Sequence, residues 1–326
     1  MKNLAKNMNA ISTTDLSRHD WLMERRNGIG GSDCAAIAGV NKYSSPMKVY
    51  LEKTNQIESE EIFTVNEQGG FEDGSEAAYF GVLNEDLVAQ EFSRRTGLKV
   101  RRRNAILKHP EYDFIYANVD RLIAGKKEGL ECKTASEFLK GEWEGDEIPA
   151  SYLLQCQHYM AVTGYEAWWI AVLVGGNKFI HKRIERDEEL IDYLINIEKE
   201  FWENHVLANN PPPFDGSVAS SDLLKAMYPQ HEPDSTIELT SDLQVYIDSY
   251  KVLEAEKKEI DLKMTECQNV LKGAMQENET AFIGEQKITW KTQVSNRIDT
   301  SRLKKEQPDI YEAYVKQSTS RPFKIK

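Results

Sequence analysis

The sequence has 326 residues, of which 41 are Lys or Arg and 53 are Asp or Glu, so its formal net charge is −12. An apolar share of 40% and a charged share of 29% are typical of a globular protein and exclude a wholly disordered chain. No apolar run approaches the roughly 18 residues of a membrane span, and the first residues lack a signal-peptide pattern. The acidic balance argues, at first sight, against a nucleic-acid partner.

The four cysteines are scattered, and none of them forms a C-x-x-C pair: Cys34, Cys132, Cys156 and Cys267. Their spacing predicts a reduced, cytoplasmic protein without structural disulfides or a cysteine-based zinc site. Gly28-x-Gly30 lacks the third glycine of a dinucleotide loop, and no predicted strand precedes it, so NAD binding is not expected. The sequence also has no P-loop motif, which argues against ATP-driven activity.

The first predicted elements are helices. A short helix begins near Trp21 and ends at the glycine-rich segment 28–31, and Pro46 opens a second helix in the first-turn position that proline favours. Residues 54–86 contain nine acidic and no basic side chains, and the first half of this stretch is predicted to be an acidic loop. A longer helix is predicted over 75–96.

Strand and helix patterns follow one another over the next hundred residues. They predict strands over 98–103, 113–119 and 129–133, a helix over 150–163, a hairpin of strands 166–174 and 178–185, and a helix over 187–207. This order indicates an α/β (α+β) fold in which a mixed central sheet is flanked by helices.

Three consecutive prolines, Pro211 to Pro213, divide the sequence, because proline fixes φ and removes a backbone donor. We therefore predict a first domain over 1–208, a Pro-rich connector over 209–238 and a C-terminal region over 239–326.

The C-terminal region is predicted to contain a long helix and a small β appendage. From Leu243 to Ala274 apolar residues recur at alternating spacings of three and four, interrupted at Lys257, which predicts one apolar stripe on the helix. The stripe would pack on the first domain or on another copy of the chain. A hairpin is predicted around Gly284, and residues 287–326 form a basic tail with ten basic and four acidic side chains.

One constellation of charged residues points to chemistry. Asp120 follows a predicted strand, and Glu131 and Lys133 lie on the same face of the next strand while Cys132 faces the opposite side. Two carboxylates at one strand edge suit a hard divalent cation such as Mg²⁺ or Mn²⁺. By themselves, Glu131 and Lys133 could also form an ordinary surface salt bridge.

Three further motifs accompany Asp120…Glu131-x-Lys133 in the sequence. Gly81 to Glu85 reads G-x-x-x-E, Gln155 to Tyr159 reads Q-x-x-x-Y, and Trp21-x3-Arg25-Arg26-Asn27-Gly28-Ile29-Gly30-Gly31-Ser32-Asp33 precedes Ser45-Pro46. In this order the motifs resemble the YqaJ-like viral recombinase and lambda-type phage exonuclease family, in the RecB-like branch of the PD-(D/E)XK nucleases. The resemblance covers about residues 20–205, and Val119 stands where the family often has proline. It implies a restriction-endonuclease-like nuclease domain.

The resemblance also implies roles for individual residues. Asp120, Glu131, Glu85 and the Cys132 backbone carbonyl would bind the metal, with two ions per site implied by the resemblance, and Lys133 would be the catalytic lysine. Gln155, Gln157 and Tyr159 would hold Lys133 or the phosphate, although Tyr159 could instead belong to the core. Arg25, or the adjacent Arg26, would bind a terminal 5′-phosphate with Ser32 and the amides of Gly30 and Gly31.

The implied activity is a 5′→3′ exonuclease on linear duplex DNA that leaves 3′ tails for a phage single-strand annealing recombinase, in a bacterial host cytoplasm. Such relatives form trimers, which predicts a homo-oligomer. An endonuclease of the same superfamily and a DNA-binding adaptor remain alternatives. Duplex DNA would follow a track of basic residues, unless these form a solvated face: Arg94, Arg95, Arg101, Arg102 and Arg103. The acidic net charge then no longer argues against a nucleic-acid partner, because DNA would contact only one groove of the protein surface.

Overall fold

The computed structural model describes residues 10–57, 64–65, 71–73, 76–316 and 318–325. The chain divides into two compact units, Met1–Met227 and Tyr228–Lys326. Most of the predicted acidic loop lies outside the described residues. Among the described helices, none has the length and apolarity needed to cross a bilayer.

The strands of the first unit are β1 (Ala10–Ser12), β2 (Thr64–Val65), β3 (Phe71–Asp73), β4 (Val100–Arg102), β5 (Ala105–Lys108), β6 (Tyr116–Asn118), β7 (Arg121–Ile123), β8 (Glu128–Ala135), β9 (Ala167–Val174) and β10 (Lys178–Glu185). Its helices are α1 (Arg18–Arg25), α2 (Gly31–Ile37), α3 (Pro46–Lys53), α4 (Glu76–Thr96), α5 (Ala150–Thr163), α6 (Glu188–Phe201) and α7 (Val218–Met227). A 3-10 helix spans Glu137–Trp143, and a π-helical turn spans Trp202–Leu207.

The central sheet has the strand order β10-β9-β8-β7-β4. Strands β8 and β9 are parallel, with Glu131 opposite Ile170, and the other neighbours are antiparallel. The parallel pair is joined by α5, since parallel neighbours need a crossover connection. A second sheet, of order β1-β5-β6, contains the strand that leads to Asp120. The predicted mixed sheet flanked by helices is confirmed.

Helices cover both faces of the sheet. On one face, Val88 and Phe92 of α4 pack with Leu130 of β8 in a buried cluster. On the other face, Met160 of α5 packs with Ile170 of β9 and the rest of the largest core cluster. Alternate residues of β8 therefore face α4 and α5, which places successive side chains of this strand in different environments.

Several elements differ from the sequence expectations. Gly31 was expected in a break between helices, yet it begins α2, because Gly30 is extended and its amide is capped by Asp33. The predicted strand 113–119 is shorter in the structure, and β5 is an additional strand that pairs with it. Within the predicted connector 209–238, α7 is an ordered helix whose Leu223 packs with the α3 core.

The second unit contains the predicted long helix and hairpin. Helix α8 (Gln244–Met275) is followed by β11 (Thr280–Ile283) and β12 (Gln286–Thr289), which pair antiparallel, and by α9 (Thr300–Glu306) and α10 (Pro308–Tyr314). A short 3-10 helix, Ser241–Leu243, precedes α8. The side chains of the predicted stripe are mostly exposed along α8, for example Tyr246 and Leu253.

Candidate active site

Asp120 and Glu131, the two central carboxylates, lie side by side at the neighbouring strands β7 and β8. Because β7 pairs with β8 with Arg121 opposite Leu130, the preceding Asp120 lies beside Glu131. The amide of Cys132 donates to Asp120 Oδ2 at 2.8 Å, which holds this carboxylate at the edge of β8. Burial, and then the charges of Glu131 and Glu85, raise the pKa of Asp120 well above its usual range.

Lys133 completes the strand motif, as the alternation along β8 predicts. Its ammonium lies 2.7 Å from Glu131 Oε1, and its side chain is 24% exposed whereas that of Glu131 is 3% exposed. Burial acts to lower the pKa of Lys133, but the neighbouring Glu131 and Asp120 outweigh it and raise the pKa. Lys133 therefore presents a charged ammonium to the cleft.

Helix α5 supplies a hydrogen-bonding partner to Glu131. The Gln155 side-chain amide donates to Glu131 Oε1 at 2.9 Å and to the Tyr159 hydroxyl at 2.7 Å. The predicted helical motif thus reaches the site, although Gln155 contacts Glu131 rather than Lys133. Tyr159 is also buried in the core, and its hydroxyl contacts Gln155.

The donor set suits a hard divalent cation. Within the described part of the chain, Glu131 Oε2 is buried and has no hydrogen-bond partner, although its other oxygen has two. An unpaired carboxylate oxygen in the interior is costly, and a cation would compensate for it. Asp120 and Glu85 line the same cleft, so oxygen ligands from three elements converge here.

Arg121 is a site residue that the sequence reasoning missed. Its guanidinium is 4% exposed and donates to the Glu85 carboxylate of α4, and its second terminal nitrogen lies 2.6 Å from Asp86 Oδ1. It also donates to the Asp120 backbone carbonyl at 2.6 Å. Arg121 thereby joins the Glu85 carboxylate of α4 to the start of β7, directly after Asp120. No local sequence pattern singled it out, because its acidic partners Glu85 and Asp86 stand 36 and 35 residues earlier in the sequence.

A basic pocket lies in the same cleft. Arg25 Nη2 donates to Ser32 Oγ at 3.1 Å, and the guanidinium stands 4.8 Å from the centroid of the Trp21 ring. The Trp21 indole N–H donates in turn to Asn118 Oδ1 at 3.2 Å. Asn118 ends β6 and lies two residues before Asp120. Trp21 therefore contacts both Arg25 and the chain segment that leads to Asp120.

These groups share one cleft of about 520 Å³. Its lining contains most of the predicted site residues: Arg25, Gly31, Ser32, Glu85, Asp120, Glu131, Lys133, Gln155 and Tyr159. The structure thus brings together residues that are up to 134 positions apart in the sequence, between Arg25 and Tyr159.

The two glycines at the start of α2 differ in their surroundings. The Gly30 amide donates to Asp33 Oδ2 at 2.8 Å, so it is already bonded within the protein, contrary to the expected phosphate contact. A Cβ at Gly31 would lie 2.6 Å from Tyr159 Cε1, which explains why a residue without a side chain stands there. Lys53 pairs with Asp33 at 2.6 Å and fixes this helix start.

Three predicted residues lie elsewhere. The Gln157 amide donates to the Glu185 carbonyl at 2.8 Å, because on α5 it faces away from Gln155, so the expected contact with Lys133 or phosphate is absent. Arg26 donates to Asn55 Oδ1 at 2.7 Å, which selects Arg25 as the arginine of the pocket. Arg101 is exposed on β4.

The other arginines of the predicted track have different environments. Arg102 and Arg103 line a small cavity of about 180 Å³ that also contains Asp120. Arg102 pairs with Asp86 at 2.5 Å. Arg94 and Arg95 both bond to Glu91 on their own helix. Only part of the track therefore borders the site.

A second cluster of metal-ligand types is occupied by internal hydrogen bonds. Cys34, His158 and Glu198 are buried with their ligand atoms within 4.8 Å of one another. The two His158 nitrogens lie 2.7 Å from Glu198 Oε1 and from the Tyr116 carbonyl, and both of these are acceptors. Because both partners accept, the imidazole carries two protons and links Glu198 of α6 to the Tyr116 carbonyl of β6, which is a structural role.

The family follows from comparison with known proteins. Residues 20–166 match the YqaJ-like viral recombinase domain. The chain is 46% identical over 325 residues, 99% of its length and 97% of the relative's, to the uncharacterized protein YqaJ of Bacillus subtilis (strain 168). The chain belongs to the YqaJ-like viral recombinase family, as its motifs predicted.

Among solved structures, the chain is similar to the alkaline exonuclease LHK-Exo from Laribacter hongkongensis, with a TM-score of 0.47 and 18% identity. That match covers 59% of this chain and 94% of the exonuclease. It is also similar to a phage related exonuclease from Haemophilus somnus 129PT, with a TM-score of 0.39 and 14% identity over 56% of this chain and 96% of that one.

Proposed function

We propose that this protein is a metal-dependent exonuclease that hydrolyses one strand of linear duplex DNA from its 5′ end. The observation that carries the proposal is the shared cleft, which Arg25 and Ser32 line together with Asp120, Glu131 and Lys133. An anion pocket beside a carboxylate site suits a terminal phosphate followed by a scissile one. Membership in a viral recombinase family supports the same substrate class.

The metal ligands in this proposal are Asp120, Glu131, Glu85 and the Cys132 backbone carbonyl, and the family resemblance suggests two Mg²⁺ or Mn²⁺ ions. Bound there, the cation would supply Lewis acidity and neutralise charge developing on the phosphate. The carboxylates fit this role because Glu131 Oε2 is buried without a partner among the described residues.

The protein's own groups would position and polarise the substrate. Lys133 presents its ammonium to the cleft, where it can donate to a non-bridging phosphate oxygen and orient the attacking water. Gln155 and Tyr159 hold Glu131 in place, which fixes the site before substrate arrives. Arg25, with Ser32, would bind the 5′-phosphate through charge-assisted hydrogen bonds.

The products would be 3′ single-stranded tails for a phage annealing recombinase. Arg102 and Arg103 border the carboxylates and would contact the DNA backbone near the site. Assembly into a homo-oligomer, a trimer by family resemblance, would keep the enzyme on its substrate. The basic tail of the second unit would bind DNA or the recombinase. Mass in solution and processivity on long linear duplex test the assembly.

Comparison of linear with covalently closed duplex tests the proposed activity. In Mg²⁺, wild-type protein should shorten 5′-phosphorylated linear duplex and leave closed circles intact. Lys133→Ala and Asp120→Asn should each lose at least 100-fold in rate. Rapid cutting of closed circles would instead identify an endonuclease, and activity unchanged in both variants would remove the assigned site. DNA binding without cleavage in any divalent metal would identify an adaptor.

A further inference from the structure

A second cavity adjoins the active-site cleft and has no role in the chemistry described so far. It has a volume of about 680 Å³, within the range of small-molecule sites. Thr134 and Ala135 line it, and these residues directly follow Lys133 on β8. Tyr43 also lines it, and the cavity is called the Tyr43 cavity below.

Lys133 of the active-site cleft is near the Tyr43 cavity, and α4 contributes to the lining of both cavities. The Lys133 ammonium is 5.2 Å from the centroid of the Tyr152 ring, and Tyr152 lines the Tyr43 cavity. Helix α4 lines the active-site cleft with Val82 and Glu85 and lines the Tyr43 cavity with Ala77. A DNA strand with its terminal phosphate at Arg25 and its next phosphate at Lys133 would therefore continue into this cavity.

The lining of the Tyr43 cavity is aromatic. Tyr152 stacks on Trp143 with ring centroids 5.4 Å apart and planes 25° from parallel. The Tyr43 side chain is 68% exposed and offers an open ring face, which is the feature that single-strand binding proteins use to stack bases.

Charge at the cavity favours a base over a phosphate. Glu142, Glu147 and Lys42 line it, and Lys42 pairs with Glu142, so the lining keeps one negative charge that is not compensated within it, on Glu147. A phosphate group placed there would be repelled by this carboxylate, whereas an uncharged base would not be repelled. The backbone of the strand would then run outside the cavity while the base enters it.

We propose that the Tyr43 cavity binds a nucleobase of the digested strand, on the 3′ side of the scissile phosphate, by stacking on Tyr43. The inference rests on the proposed function, because that function places the scissile phosphate at Lys133. Holding this base would separate the strand from its complement and align the next phosphate for hydrolysis.

Equilibrium binding in Ca²⁺ tests the proposal, because binding can be measured whether or not the protein cleaves DNA. The probe is a 5′-phosphorylated duplex with 2-aminopurine at the nucleotide immediately 3′ of the first phosphodiester. Binding of wild-type protein should change its fluorescence, because the base leaves the stacked duplex. Tyr43→Ala should abolish this change and raise the Kd about tenfold, whereas Tyr43→Phe should behave like wild type.

Phe138→Ala is the matched control. Phe138 is 97% exposed on the neighbouring 3-10 helix and is absent from the cavity lining, so its removal should change neither signal. With an abasic residue at the probe position, Tyr43→Ala and wild type should bind equally. A Kd for Tyr43→Ala within twofold of Phe138→Ala, or a tenfold loss that persists on abasic DNA, would overturn the proposal. Absence of Mg²⁺-dependent cleavage by the wild type bears separately on the exonuclease assignment.

Discussion

The buried guanidinium of Arg121 pairs with the Glu85 carboxylate, and this pair connects α4 to the start of β7, directly after Asp120. The same guanidinium reaches Asp86, the neighbour of Glu85 on α4. Arg121 therefore fixes the one candidate metal ligand that does not come from the sheet. Glu85 and Asp86 are adjacent on α4 and both pair with Arg121, so the effects of substituting each of them can be compared directly.

Glu85→Gln should lower the affinity for Mg²⁺ and the rate, whereas Asp86→Asn should leave both nearly unchanged. Both substitutions remove a charge that pairs with Arg121, but only Glu85 lines the cleft with Asp120 and Glu131. We expect a loss of about tenfold or more for Glu85→Gln. Calorimetry with Mn²⁺ would measure the metal affinity, and cleavage rates across a Mg²⁺ titration would measure the effect on activity. Equal effects of the two substitutions would show that Glu85 acts only through Arg121.

Asp120→Asn should stabilise the metal-free protein while it inactivates the enzyme. Burial and the neighbouring Glu131 and Glu85 raise the pKa of Asp120, which means that its charged form is unfavourable in the fold. We expect Tm in EDTA to rise by about 2–4 °C, as about 1 kcal/mol of repulsion is removed. Added Mg²⁺ should then raise the Tm of wild type more than that of the variant. Unchanged or lower Tm in EDTA would contradict this account.

Arg25→Ala should remove the preference for a 5′-phosphorylated end, and Arg26→Ala should retain it. Arg25 bonds to Ser32 in the cleft, whereas Arg26 bonds to Asn55 and to the Ile57 carbonyl outside it. The ratio of rates on 5′-phosphate and 5′-hydroxyl duplexes should fall about tenfold for Arg25→Ala alone. If Arg26→Ala lost the preference instead, the assignment of the pocket would be reversed.

Gly31→Ala should impair both stability and activity, whereas Gly30→Ala should be tolerated. The new Cβ at position 31 would lie 2.6 Å from Tyr159 Cε1 and 3.1 Å from Gln155 Cγ, so it would displace the residues that hold Glu131. At position 30 its nearest neighbour would be 3.5 Å away, an ordinary contact. We expect about 1–3 kcal/mol less stability for Gly31→Ala in urea unfolding, with a reduced rate. Similar results for both variants would disprove the crowding argument.

The pair formed by His158 and Glu198 should make stability fall as the pH rises above about 6.5, the usual pKa of histidine. Burial by itself lowers the pKa of His158, but Glu198 and the Tyr116 carbonyl outweigh it and raise the pKa. The resulting stabilisation is complete below the unfolded pKa and is lost as the pH rises through the higher folded value. Urea unfolding between pH 5.5 and 9 would measure this slope.

Glu198→Gln is the control for this pH dependence. It keeps a hydrogen-bond acceptor beside His158 but removes the charge that holds the imidazolium. The variant should be less stable at pH 6, by about 3 kcal/mol, and its stability should vary less over the same pH range. A slope identical to that of wild type would assign the pH dependence to other groups.

The local patterns of the sequence were sufficient to predict much of the architecture. The predicted helix 150–163 corresponds to α5, and the predicted hairpin corresponds to β9 and β10. Strand alternation also placed Glu131 and Lys133 on one face, which their 2.7 Å contact confirms. These features depend on neighbours a few residues apart, so periodicity and turn residues are enough to specify them.

The sequence reasoning failed where a residue's partner is distant in the chain. Gln155 and Gln157 look equivalent in the sequence, yet the helix turns only Gln155 toward Glu131. The start of α2 was missed although its cap by Asp33 on the Gly30 amide is local; the ion pair of Asp33 with Lys53, twenty residues further on, supports this cap only in the folded chain. Arg121 was missed because its acidic partners lie on another element.

The sequence by itself determined the family, the order of the main elements and the residue types of the site, because short motifs and local periodicity carry that information. The tertiary structure decided which residues come into contact. It places Arg25 rather than Arg26 at the cleft, bonds Gln155 rather than Gln157 to Glu131, and pairs Arg121 with Glu85. The physical reason is that burial makes each charged or polar group require a partner, and the fold selects that partner across the sheet.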